Sequence, residues 1–185
     1  NKSNKFDLKN CNYLFITGLA RSGSTALLQA FDSTKIFSSI RYKYMPFILS
    51  PKIAQIYSKY LSKNKSLERE RLHGDGLRIN TNSPESLDEP YWINTTYKKI
   101  DILNYLYPHE VTIDFSRGYG FLLNYYLDIE KRKRLLIKNN NNHLRIISLS
   151  SHFPNSTFLI LFRNPLAHSK SLLNTHKKFS PKKSI

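Results

Sequence analysis

Several residue types are scarce in this chain of 185 residues, and each scarcity excludes a class of protein. The single cysteine, Cys11, excludes a disulfide within the chain and any zinc site built from cysteines. It also favours a reducing compartment, so we expect a cytoplasmic protein. No apolar run approaches the ~20 residues of a membrane span. The best candidate, residues 13–20, contains Gly18 and is followed by Arg21, so we expect no membrane span.

Acidic residues are also few, and the chain is strongly basic. Only 13 Asp and Glu stand against 29 Lys and Arg, which leaves a net charge of +16. This charge could attract an anionic ligand, a polyanion or nucleic acid. It could equally reflect an AT-rich coding sequence, in which case most lysines are solvated surface. The one dense basic run, residues 131–134, is interpreted as a solvated helix end, so no specific nucleic-acid partner is expected.

Short apolar runs alternate with helical patterns along the chain. The runs predict strands at residues 12–17, 36–40, 135–137 and 157–162. The remaining patterns predict helices at residues 26–33, 50–62, 116–133, 144–152 and 164–176, and a further helix that starts at Ser83 and Pro84. Because crossover helices return the chain in one direction, the alternation predicts a single α/β domain, with a parallel sheet between two layers of helices.

Two of these helices carry an apolar stripe that we expect to face the core. The stripe of the helix at 50–62 consists of Ile53, Ile56, Tyr57, Tyr60 and Leu61. The stripe of the helix at 116–133 consists of Phe121, Leu122, Tyr125, Tyr126 and Ile129.

Ligands of such sheets bind beyond the carboxyl ends of the strands. We therefore expect the loops at residues 18–25, 138–142 and 163–171 to face one crevice.

The first of these loops, residues 18–25, reads Gly-Leu-Ala-Arg-Ser-Gly-Ser-Thr. It has the glycine spacing of a Walker A phosphate loop, but Ser24 stands where that motif has lysine. Its backbone N–H groups and the following helix N-terminus suit an anion, and the cation has moved three positions upstream to Arg21. The loop thus predicts phosphate binding but disfavours ATP hydrolysis. The alternative is a tight turn with an exposed Arg21.

Residues 15–25 resemble the 5′-phosphosulfate loop of sulfotransferases, which has Lys or Arg at the position of Arg21. A second segment, Leu-Phe-Arg-Asn-Pro at residues 161–165 with Ser171 eight residues after its arginine, resembles the family's 3′-phosphate motif. Residues 40–47, 70–76 and 138–142, with Phe179 after His176, are similar to a bacterial branch of the family. The resemblance spans almost the whole chain.

The resemblance implies a P-loop NTPase-like sulfotransferase fold and phosphoadenylyl sulfate (PAPS) as sulfuryl donor, with no metal. The donor would be held at the 5′-phosphosulfate by Gly18, Arg21, Ser22, Gly23, Ser24 and Thr25, and at the 3′-phosphate by Arg163 and Ser171. Members of the family continue to a C-terminal segment that closes over the nucleotide, so we expect this chain to be incomplete.

Transfer of the sulfuryl group needs charge stabilisation and a base. Arg21 and Lys138 are the candidates for charge stabilisation. His73 is the first candidate for the base and Asp75 the second, with Glu70 and Asp114 behind them. Many family members place a Glu after the second strand, and residues 38–41 contain none. The asparagines at 139–142 either form a low-complexity turn or orient Lys138 and the acceptor.

The expected acceptor is a small molecule or carbohydrate with a hydroxyl or amine. Two other functions remain open: a P-loop NTPase or small-molecule kinase, and a non-catalytic basic domain that binds polyanions.

Overall fold

The computed structural model describes residues 7–61, 68–71, 76–85, 87–96 and 107–180. The strands of this part are β1 (Tyr13–Gly18), β2 (Phe37–Ser38), β3 (Arg69–Glu70), β4 (Arg78–Ile79), β5 (Arg134–Lys138) and β6 (Thr157–Leu161). Its helices are α1 (Ser24–Ser33), α2 (Pro51–Leu61), α3 (Glu89–Thr96), α4 (Ile113–Glu130), α5 (Ile146–His152) and α6 (Pro165–Phe179). In the described ranges no helix is long and apolar enough to cross a membrane.

The main sheet has four parallel strands in the order β2-β5-β1-β6. Strand β1 lies between the other two long strands, with Phe15 opposite Ile137 on one side and Phe158 on the other. The predicted α/β fold with a parallel sheet is confirmed. Because β1, β5 and β6 run in the same direction, the loops that follow them leave the same edge of the sheet.

Side chains alternate across the sheet and build a core on each of its faces. On one face, Leu14 and Ile16 of β1 form a cluster with Leu28 of α1. On the other, Tyr13 and Phe15 belong to a larger cluster that includes residues of α4 and α5. The sheet therefore lies between two helical layers, and this arrangement fixes the edge from which the loops emerge.

Helix α4 begins earlier and ends earlier than predicted. The Thr112 hydroxyl accepts a hydrogen bond from the Phe115 N–H and caps its start, and Lys131 ends it in a left-handed conformation with φ 51°. The predicted stripe is partly wrong, since Phe121 is 63% exposed. The buried face is shifted by a fraction of a turn and consists of Ser116, Tyr119, Gly120, Leu122, Leu123 and Tyr126.

Helix α2 has the predicted bounds to within one residue, but the prediction that its apolar stripe faces the core is wrong. Ile53, Ile56 and Tyr60 are 51%, 62% and 73% exposed. The helix instead buries its small side chains, Ala54 and Ser58, and packs against the turn at Tyr42–Tyr44 and against α4. Small residues allow closer approach of the helices than the apolar stripe would.

The helix predicted to start at Ser83 and Pro84 is also wrong. This segment is extended, with Pro84 in an antiparallel bridge to Arg41 and the Glu85 N–H donating to the Ile40 carbonyl at 3.1 Å. Tertiary backbone pairing overrides the local helix signal, and α3 begins only at Glu89. This pairing places Glu85 beside Ile40, in the segment that follows β2.

Candidate functional site

The loop between β1 and α1 turns sharply through two residues of positive φ, Arg21 at 71° and Gly23 at 99°. Left-handed geometry is costly for arginine, so the surrounding structure must hold Arg21 in place. Gly18 is required sterically, because a Cβ there would lie 2.9 Å from the Leu161 carbonyl oxygen of β6 and 2.7 Å from Ser22 Oγ. No side chain in the described structure caps the start of α1. Its first N–H groups therefore suit an anion.

A cavity of about 370 Å³ opens where the three strands end. Its described lining consists of Ala20, Arg21, Gly23, Ser24, Thr25, Ala26, Arg71, Leu77, Lys138, Asn140 and Arg163. The loops after β1, β5 and β6 all contribute to it, together with the segment between β3 and β4. This lining contains four cationic side chains and no carboxylate. Such a wall attracts an anion and gives no acidic ligand to a divalent cation.

On one side of this cavity, the loop after β1 contacts the loop after β6 and the helix α6. Arg21 Nε donates to Ser171 Oγ at 3.2 Å, and Arg163 Nη1 donates to the Arg21 carbonyl oxygen at 2.9 Å. His168 lies 2.6 Å from the carbonyl oxygen of Ala20. Helix α6, which carries Ser171 and His168, starts as predicted at Pro165 with Asn164 as its cap. The contacts bring the two predicted anion-binding loops together.

On the opposite side of the cavity, two cations and a tyrosine contact the carboxylate of Glu85. Glu85 Oε1 lies 3.5 Å from the Lys138 ammonium, and Glu85 Oε2 lies 3.6 Å from Arg71 Nη2. The Tyr42 hydroxyl donates to Glu85 Oε2 at 3.0 Å. Burial, followed by the charge of Glu85, raises the pKa of Tyr42 to about 12, so its phenol stays protonated at neutral pH and donates a hydrogen bond.

Behind Lys138 lies a buried polar network that fixes the loop after β5. The fully buried Arg145 donates to both carboxylate oxygens of Glu89, at 2.9 and 2.8 Å, and its guanidinium lies 4.0 Å from the centroid of the Trp92 ring. Asn139 donates to Glu89 at 2.6 Å and to Asp88 at 3.0 Å. The residue next to Lys138 is thus held by two carboxylates.

Burial and charge in this network together shift three pKa values. Burial raises the pKa of Asp88. Burial alone would also raise the pKa of Glu89, but the hydrogen bonds and charge of Arg145 outweigh it and the pKa is lowered. Burial and then Arg145 lower the pKa of His109, whose Nδ1 accepts a hydrogen bond from Arg145 Nε at 3.2 Å. His109 is therefore neutral, with its proton on Nε2.

The asparagine run is not a loose turn. Asn139 and Asn141 both bind Glu89, the carbonyl oxygen of Asn140 accepts from the Thr17 hydroxyl at 3.1 Å, and Asn142 is fully buried. These contacts tie the loop after β5 to both α3 and β1. The run therefore holds the backbone that follows Lys138 in place.

The residues predicted for the site fall into four groups. Six line the cavity: Arg21, Gly23, Ser24, Thr25, Lys138 and Arg163. Ser171 contacts Arg21 directly. Gly18 and Ser22 line a second, mainly apolar cavity of about 520 Å³ on the other side of the loop, and Arg163 contributes to both cavities. His73 and Asp75 lie outside the described residues.

Sequence reasoning missed Arg71, which lines the cavity, and Glu85, which contacts two cations of the lining. Arg71 follows β3, and the antiparallel pairing of β3 with β4 was not predicted because each strand has only two residues. Glu85 was placed inside a predicted helix. The polar sequence around it, with an acidic residue after Ser-Pro, is typical of a helix start, and no local pattern indicates its pairing with Ile40.

These features define an α/β protein in which a strand, a loop and a helix N-terminus open onto a cationic cavity. The model of the sulfotransferase family matches residues 14–184, and the chain belongs to that family. No curated protein sequence matches the chain.

Among solved structures, the chain is similar to the sulfotransferase STF1 of Mycobacterium tuberculosis H37Rv, with a TM-score of 0.56 and 13% sequence identity. The likeness covers 90% of this chain and 49% of that one, so the chain spans about half the length of its structural neighbour. At this identity the likeness shows the fold.

Proposed function

We propose that the chain binds PAPS and transfers its sulfuryl group to a hydroxyl or amine of a small-molecule or carbohydrate acceptor. PAPS supplies an activated sulfuryl group together with two anionic ends, the 5′-phosphosulfate and the 3′-phosphate. Family membership supports the reaction class. The residues at the cavity fit the donor, because its anions need separate sets of cations and N–H groups.

The observation that carries the proposal is the position of the cations around the cavity. Arg21 stands beside the start of α1, Lys138 lies at the end of β5, and Arg163 lies at the end of β6. On this proposal, Arg21, Lys138 and the first N–H groups of α1 hold the 5′-phosphosulfate. Arg163 and Ser171 hold the 3′-phosphate, and the apolar second cavity beside Arg163 takes the nucleoside.

During transfer, negative charge grows on the oxygen that joins the sulfuryl group to the 5′-phosphate. Arg21 and Lys138 are the side chains that would stabilise it, and the buried network behind Lys138 keeps that lysine oriented without reorganisation. His73, the base predicted from the sequence, lies outside the described residues, and the contacts above assign no base. A cytoplasmic location is also a proposal, from the cysteine content alone.

A P-loop NTPase or kinase is the competing function, and the cavity argues against it. Ser24 occupies the position of the Walker lysine, and none of the described residues that line the cavity is a carboxylate that could bind magnesium. A non-catalytic polyanion-binding domain would explain the net charge but not the convergence of three strand-end loops on one small cavity.

Calorimetric titration separates these three functions. Adenosine 3′,5′-bisphosphate, ADP and AMP are each added to the chain with and without magnesium, and heparin and DNA are each added at rising salt concentrations. Preferred, magnesium-independent binding of the bisphosphate supports the proposal. A magnesium-dependent preference for ADP would contradict it. Binding of heparin or DNA with a steep salt dependence, and without preference among the nucleotides, would indicate the polyanion-binding domain.

A further inference from the structure

Glu85 is a mostly buried carboxylate that lies directly behind the cationic wall of the cavity. Its side chain is 11% exposed, and its two oxygens contact Lys138 and Arg71, both of which line the cavity. Its backbone is fixed by the hydrogen bond to Ile40 and by the bridge between Pro84 and Arg41. The side chains of Lys138 and Arg71 thus lie between the carboxylate of Glu85 and the cavity.

The ion pairs of Glu85 differ from the other buried pairs. Its oxygens lie 3.5 and 3.6 Å from the two cations, whereas Arg145 meets Glu89 at 2.8 and 2.9 Å and Arg41 meets Asp32 at 2.8 Å. Charge-assisted hydrogen bonds have lengths of about 2.7–2.9 Å, so the contacts of Glu85 are loose ones. A bound anion can therefore offer Lys138 and Arg71 closer contacts than this carboxylate does, while the Tyr42 hydroxyl continues to donate to Glu85.

Other described carboxylates near the sheet edge are already committed. Asp88 accepts hydrogen bonds from Tyr119 at 2.7 Å and from Asn139, and Glu89 is held by Arg145. Glu130 binds Arg41 and Lys43, at 3.0 and 2.8 Å. Among these described carboxylates, Glu85 is the one that pairs with two cations of the cavity lining, Lys138 and Arg71.

We propose that Glu85 takes the proton from the acceptor, and that donor binding makes it available by ion-pair exchange. This inference rests on the proposed function. Lys138 and Arg71 move from Glu85 to the phosphosulfate. An opposite charge favours the ionised form of a carboxyl group, so its departure favours proton uptake. Tyr42 stays behind as a hydrogen-bond donor that keeps Glu85 in place.

In the transfer step, the oxygen of an acceptor hydroxyl or the nitrogen of an acceptor amine forms a bond to sulfur, and the bond between sulfur and the 5′-phosphate oxygen breaks. The electron pair of that bond goes to the phosphate oxygen, which gives adenosine 3′,5′-bisphosphate. The proton of the acceptor hydroxyl or amine moves to a carboxylate oxygen of Glu85 and leaves to solvent after the product departs.

Binding of adenosine 3′,5′-bisphosphate tests the exchange without knowledge of the acceptor. The variant Glu85→Gln removes the competing charge, so we expect the bisphosphate to bind equally tightly or about two- to fivefold more tightly. If Glu85 merely positions the two cations, the variant binds more weakly, and a tenfold loss would overturn the inference. Glu89→Gln is the matched control: it loosens the loop of Lys138 and should weaken binding.

Proton uptake provides the second readout. The heat of bisphosphate binding is measured at pH 6 in two buffers that differ in ionisation enthalpy, for wild type and for Glu85→Gln. We expect wild type to take up more protons than the variant, and equal uptake by both would contradict the exchange.

The pH profile of transfer separates Glu85 from His73. With an acceptor that wild type sulfates, Glu85→Gln should lower kcat by about 10²–10⁴-fold and abolish the acid limb of the profile. An acid limb that persists in Glu85→Gln and disappears in His73→Ala would assign the base to His73. If wild type binds no bisphosphate, the proposed function itself fails; if it binds and Glu85→Gln binds more weakly, only the role of Glu85 fails.

Discussion

Replacement of Arg145 by methionine should destabilise the fold strongly. Its guanidinium is fully buried and donates two hydrogen bonds to Glu89 and one to His109, above the ring of Trp92. Methionine fills much of the same volume but leaves the carboxylate of Glu89 beside Asp88 without a cation. Breaking a buried pair from one side costs about 3–5 kcal/mol. We expect a loss of that size in the free energy of unfolding.

Urea unfolding followed by fluorescence measures this loss, because the only tryptophan of the chain, Trp92, lies in the network itself. The double variant Arg145→Met with Glu89→Leu removes the stranded charge. It should recover at least ~1 kcal/mol relative to the sum of the two single variants.

The matched control is Arg117→Met, which breaks an exposed pair with Asp114 at 3.4 Å. A change within about 0.5 kcal/mol is expected there. A loss below ~1 kcal/mol for Arg145→Met, or strict additivity of the double variant, would refute the account of the network.

Further predictions concern pH, the phosphate loop and the ligand. His109 has a lowered pKa in the folded chain, so its stabilising contribution is present above the unfolded value of about 6.5 and is lost as the pH falls; His109→Asn should flatten the stability profile between pH 7 and 5. Gly18→Ala should cost about 1–3 kcal/mol in thermal or urea unfolding, because its Cβ meets the backbone of β6. At Gly23 no atom lies within 4 Å of an added Cβ, so Gly23→Ala should show only the ~1 kcal/mol of a left-handed alanine, and equal costs at both positions would contradict this reading. Arg21→Ala should weaken binding of adenosine 3′,5′-bisphosphate at least ~10-fold in calorimetry with an unchanged midpoint of unfolding, whereas unchanged affinity would remove Arg21 from the site.

The parts of the fold that the sequence predicted are those where one signal dominates. The apolar run of β1 lies at the centre of the sheet, buried along its whole length, and Asn164 with Pro165 supplies a cap that depends on neighbouring residues alone. The loop of residues 18–25 was recognised because its glycines and cation lie close together in the chain. In each case, residues that are close together in the chain determine the local structure, so the sequence is enough to predict it.

The errors arise where distant backbone or packing decides. The sequence predicts a helix start at Pro84, but this segment pairs with Arg41, more than forty positions away in the chain. Ile56 was assigned to the core by periodicity, yet α2 packs through Ala54. The cation–carboxylate cluster of Glu85 has no sequence spacing that marks it, because Arg71, Glu85 and Lys138 come from three separate segments.

The central claim is that one site holds both anionic ends of the donor, with Arg163 at the 3′-phosphate. The most direct test is a cycle of four affinities, those of adenosine 3′,5′-bisphosphate and of AMP for wild type and for Arg163→Ala. Wild type should prefer the bisphosphate by about 10–100-fold, the range expected for a hydrogen-bonded charge pair, and the variant should lose most of that preference while its affinity for AMP stays the same. An equal preference in both proteins, or no preference in wild type, would contradict the account.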